Sequence, residues 1–177
     1  MLNEASKAGL VLGIIPVLYS LAGEYSAPLT AASPILAGLV ATVLWCLKFF
    51  GCIWLFYYFM KRYFKIAKTA SKGIADTSPL TGFGLLTSLL SALVFAGYTL
   101  LDVAVLSPEK YAQSINDALA GMRSSMDSNS LAAMDGIMDK LPAISFVSVL
   151  IYCFLFGAIL TAILAPRIVR KDFESNL

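Results

Sequence analysis

Few side chains in this sequence could do chemistry, and the most conspicuous is a lysine in an oily run. Residues 44–56 read LWCLKFFGCIWLF, with Lys48 as the only charge. An ammonium in such a setting faces a helix-bundle interior, snorkels to an interface, or couples a proton or ion. The usual catalytic groups are missing around it. The 177 residues contain no histidine, which removes the commonest general base and the commonest metal ligand. The three cysteines, Cys46, Cys52 and Cys153, sit in apolar runs with no CxxC, where a thiol stays protonated and acts as a small hydrophobe. Gly82-Phe83-Gly84 lacks the strand, lysine and spacing of a phosphate loop. No catalytic residue, cofactor or metal is expected, and the chain reads as a non-enzyme.

The elements that position Lys48 follow from composition. The chain is 59% hydrophobic and only 14% charged, with a mean hydropathy of +0.80. Residues 8–23, 25–47, 77–101 and 141–166 hold no Asp, Glu, Lys or Arg. A helix needs about 20 mostly apolar residues to cross a hydrocarbon layer about 30 Å thick. Continuous apolarity without alternation excludes a membrane barrel. The fold class is therefore all-α, a polytopic four-helix bundle forming one membrane domain. The spans are expected at residues 5–23, 34–60, 79–105 and 142–165. Asn3 is the expected cap of the first and Pro16 its kink. Ser33-Pro34 and Ser78-Pro79 open the second and third, and Pro166 marks the stop of the fourth. Ser20-Leu21-Ala22 fits a signal-peptidase pattern, but Lys7 balanced by Glu4 makes a weak n-region, so a retained span is preferred.

Charge asymmetry sets direction. Lys61, Arg62, Lys65, Lys68 and Lys72 follow span two with no acid before Asp76, and Arg167, Arg170 and Lys171 follow span four. The other side holds Glu24 and the acid-rich segment 106–141, with Glu109, Asp117, Asp127, Asp135 and Asp139 against Lys110, Arg123 and Lys140. The positive-inside rule then places both termini in the cytoplasm and 106–141 outside. This bias argues against a dual-topology exporter. The basic stretch 61–72 suits anionic phospholipid, at about 1 kcal/mol per residue, rather than nucleic acid. Within 106–141, Ser107-Pro108-Glu109 starts a helix with Tyr111, Ile115, Ala118, Leu119 and Met122 on one face. After SSMDSNS, a second amphipathic helix carries Leu131, Met134, Ile137, Met138 and Leu141. Both are expected to rest on the membrane surface or cap the bundle.

Helices associate in lipid where small residues let backbones approach. Gly84, Ser88, Ala92 and Ala96 form such a ridge on span three. Ala5, Gly9 and Gly13 offer one on span one, Ala37 and Ala41 on span two, and Gly157, Thr161 and Ala165 on span four. Lys48 lies roughly 18 Å from Met60 along a helix, close to the bilayer midplane. Asp102 lies roughly 15 Å away in depth, beyond a lysine's reach. Ser88, Ser91 and Tyr152 match its depth, with Tyr19 and Ser20 to one side. Lys48, Ser88, Ser91 and Tyr152 are thus the candidate intramembrane polar site, with hydroxyls that solvate an ammonium without neutralising it.

Four apolar helices, a basic hinge after the second, and the segments SPLTGFGLLTSLLSALVFAGY, SPEKYAQSINDALAGM and FGAILTAILAPRIVRK together resemble a bacterial family of four-helix inner-membrane proteins of unknown function. The resemblance covers nearly the whole chain and rests on architecture rather than a sharp motif. It implies a bacterial inner-membrane location and supplies no catalytic residues. Genes of that family often lie near one for a membrane-linked glycosyltransferase, which points to such an enzyme as a partner. Two function classes follow. One is a non-catalytic accessory or scaffold subunit binding another membrane protein. The alternative is a small transporter or lipid-handling protein with a cavity near Lys48. Coupled transporters usually show midplane acids or broken helices, which favours the first.

Overall fold

A computed structural model describes residues 1–30, 33–70, 77–123, 136 and 140–174. In chain order these form α1 (Leu2–Thr30), α2 (Pro34–Ala70), α3 (Ser78–Leu101), a π-helical turn (Asp102–Leu106), α4 (Pro108–Arg123) and α5 (Leu141–Glu174). α1, α2, α3 with its π turn, and α5 are long and apolar enough to cross a membrane. No strand occurs among the described residues.

α1, α2 and α5 run longer than expected, α2 and α5 because packing continues past the apolar runs. Ser33 does cap α2, its hydroxyl accepting from the Leu36 N–H at 3.4 Å. Asn3 has no such role: α1 already starts at Leu2, and the Ala5 N–H reaches the Met1 carbonyl. Ala5 and Ala8 are fully buried, which holds this first turn against the bundle. α3 starts at Ser78 rather than after it, behind Thr77, which makes no side-chain cap bond. α2 extends beyond Met60 because Met60, Tyr63 and Phe64 are buried, Tyr63 stacking on Phe83 at 4.1 Å and 4°. Pro166 does not end α5. Its ring faces outward while Ala165 and Ile168 are buried at 1% and 6% exposure. Their burial outweighs the one backbone bond a proline removes.

α3 is the middle of the bundle, flanked by α1 and α5. All four ridge residues are buried, Ala92 and Ala96 completely. The ridge meets the small residues of α5. A Cβ at Gly84 would lie 2.5 Å from Thr161, and one at Gly157 would lie 2.5 Å from the Ser88 Cβ. Ser88 and Thr161 donate their hydroxyls to Gly84 and Gly157 carbonyls at 2.8 Å, so this polar seam is internally satisfied. On the opposite flank Gly9 and Gly13 press on Leu90 and Val94. α2 departs from expectation. Ala41 is exposed, Ala37 only half-buried, and open space surrounds Gly38 and Gly51. Its grip comes instead from Phe56, Met60, Tyr63 and Phe64 near one end of the bundle, where the buried core is concentrated.

That end is also the basic one. Lys61, Arg62 and Lys65 are exposed, whereas Lys68 forms an ion pair with Asp172 of α5. Lys68 is thereby engaged within the protein, a partner absent from the sequence-based reading. Lys72 lies outside the described residues. At the other end, α4 buries Tyr111, Ala112 and Ile115 partly and exposes Gln113, Ser114 and Asp117. The side chains of Ala118, Leu119 and Met122, and the second expected amphipathic helix before Leu141, lie outside the described residues.

Candidate functional site

Because α2 grips the bundle at the basic end and stands away from α3 and α5 above it, a cavity of about 190 Å³ opens between them. α2 contributes Lys48, α3 contributes Ser88 and Ser91, and α5 contributes Tyr152. All four residues singled out from depth along the helices line this one space, near the middle of the apolar spans. Lys48 therefore faces the neighbouring helices. Its Nζ lies 5.6 Å from the centroid of Phe95, a cation–π contact of about 0.5–2 kcal/mol. Among the described residues no carboxylate comes within ion-pair reach of it.

The walls are aromatic. Phe49 stacks with Trp45 at 5.3 Å and meets Phe156 of α5 at 5.6 Å. Leu12 and Pro16 of α1 also line the space, as do the free thiols of Cys52 and Cys153. Trp45 and Tyr152 line the cavity yet remain 59% and 71% exposed, so they form a mouth toward the outside of the bundle. Tyr152 is thus a rim residue and less enclosed than depth alone implied. The arrangement can donate hydrogen bonds and positive charge to an acceptor in an apolar slot. Among the described residues no group of three His, Cys, Asp or Glu could hold a metal ion.

A second polar group sits at the opposite end from the basic residues and was missed from sequence. Asp102, 6% exposed, opens the π turn and accepts from the Tyr111 hydroxyl at 2.7 Å. Lys110 pairs with Glu24 of α1 at 2.8 Å. Together these contacts clamp α4 to α1 and α3. Only the presence of a lone acid at a span end hinted at it. Burial, reinforced by the hydrogen bond to Asp102, raises Tyr111 above its ordinary value of 10.0. The hydrogen bond that Lys110 donates to Glu24 raises it above 10.5, although burial opposes it. Both shifts favour the protonated form in the folded state. Their stabilisation is therefore complete below the unfolded values and lost as pH rises through the folded ones. Hydrogen exchange of α4, corrected for intrinsic rates, should be flat from about pH 6 to about pH 9 and accelerate above pH 10. Tyr111→Phe should accelerate it at neutral pH, since an unpaired buried carboxylate oxygen costs about 1–3 kcal/mol. Unchanged exchange in that variant would show that α4 is held by apolar contact alone.

Comparison with known proteins adds no relative: no family model matches the chain, nor does any curated protein or solved structure.

Proposed function

We propose that this chain is a non-enzymatic, multi-pass protein of the bacterial inner membrane that holds a small bilayer-borne ligand against Lys48. The observation that carries this reading is the ammonium on the wall of a mid-span cavity, with no carboxylate partner among the described residues. An unneutralised lysine at that depth costs about 2.5–3.5 kcal/mol on insertion scales, so it is retained where something uses it. Organic extraction of protein purified in mild detergent should yield a lipophilic small molecule in near-equimolar amount, lost in Lys48→Met. Extracts identical to those of detergent-matched control membranes would overturn the reading.

The same reading places both termini in the cytoplasm and α4 with its neighbouring segment outside, resting as amphipathic helices on the outer surface. Lys61, Arg62 and Lys65 then face anionic headgroups of the inner leaflet. A cysteine introduced at Gln113, exposed on α4, should react with an impermeant maleimide in intact cells from which the outer barrier has been stripped. Reaction only after the inner membrane is opened would invert the topology.

A second reading, an accessory subunit of a membrane complex such as a glycosyltransferase, draws on α2. Its first half exposes Ile35, Leu39 and Val43, which no described helix covers. A stoichiometric protein partner surviving purification would favour it.

A further inference from the structure

Building on the ligand-cavity reading above, we infer that the cavity takes the ring of a lipid-tailed benzoquinone, with a ring oxygen accepting from Lys48. Size comes first. An apolar cavity of about 150 Å³ holds one benzene ring, so the 190 Å³ here fits one six-membered ring with small substituents. A phospholipid headgroup with its glycerol is too large. It also belongs at the interface, roughly 15 Å from a midplane site.

Charge is the second constraint. Drawing a phosphate or carboxylate to this depth adds a second desolvation penalty that pairing with Lys48 only roughly offsets. A ring carbonyl is neutral, partitions to the apolar layer by itself, and still receives a strong hydrogen bond from an ammonium. Ser91 lines the same cavity from α3 and offers a hydroxyl to a ring substituent. The aromatic walls are the third. Phe49, Phe95 and Phe156 line the cavity, Phe49 and Phe156 tilted at 47° to each other, and their electron-rich faces suit an electron-poor ring. The tail then leaves through the mouth between Trp45 and Tyr152, both largely exposed, into the surrounding acyl chains. The proposal is one of binding only, with no electron or group transfer.

The two tryptophans make the test direct. Trp45 lines the cavity, whereas Trp54 is 66% exposed and does not. In Trp54→Phe protein in phosphatidylcholine nanodiscs, a decyl-tailed benzoquinone should quench Trp45 saturably. In Trp45→Phe protein, quenching of Trp54 should rise linearly, reporting partition alone. Lys48→Met should weaken the saturable phase about tenfold or more, the scale of one lost charged hydrogen bond. Ser91→Leu, which fills the slot, should abolish it while the helical circular dichroism is kept. Linear quenching of both tryptophans by the quinone, with saturable quenching of Trp45 by brominated palmitate, would overturn the ligand class and leave the cavity reading standing. Linear quenching by both probes, with no extractable ligand, would overturn both. Saturable quinone quenching unaffected by Lys48→Met would remove the lysine from the site.

Discussion

Gly157→Leu is expected to push α5 off α3 and lower the stability of the bundle by at least about 1–3 kcal/mol, the usual cost of overpacking. Even a methyl group at Gly157 would lie 2.5 Å from the Ser88 Cβ, and the reciprocal position, Gly84, is equally tight against Thr161. The contact cannot relax cheaply. Ser88 is buried and its hydroxyl is committed to the Gly84 carbonyl, so moving it breaks a satisfied pair in an apolar setting. Ala92→Leu, at a position with no exposure, should behave alike. Gly97 is the internal control, because nothing lies within 4 Å of a Cβ there. Gly97→Ala should be neutral or stabilising by up to about 1 kcal/mol through helix propensity. Unfolding by denaturing detergent, followed by circular dichroism, measures all of these. A Gly157→Leu protein as stable as its parent would mean that α3 and α5 do not pack through the small-residue seam.

Lys48→Met is expected to separate stability from ligand retention. Removing a partly buried charge that has no carboxylate partner among the described residues relieves a desolvation cost, so the melting temperature should hold or rise. The gain stays below the full insertion cost of about 2.5–3.5 kcal/mol, because the Phe95 ring and the cavity already ease the burial. Bound ligand should disappear at the same time. Loss of both together would mean that an acid reaches Lys48 after all, because breaking a buried pair leaves the other charge stranded at a cost of about 3–5 kcal/mol.

The sequence alone determined the all-helical class, the four helices long and apolar enough to cross a membrane, the buried ridge on α3 and the level along the helices at which Lys48, Ser88, Ser91 and Tyr152 line one cavity. These follow from quantities local to one segment: uninterrupted apolarity, a four-residue repeat of small side chains, and a fixed rise per residue. Helix ends were less legible. Pro166 and the charges after Met60 looked like stops, yet Ile168, Tyr63 and Phe64 find burial against other helices and carry α5 and α2 onward. Only the tertiary structure decided that α2 grips the bundle at one end and opens a slot above it. Two equally oily halves of one helix are indistinguishable until their neighbours are known. The same holds for Lys68 with Asp172, Lys110 with Glu24, and Tyr111 with Asp102. Each pair joins different elements, and a charge's partner is fixed by how those elements pack, which no local pattern encodes.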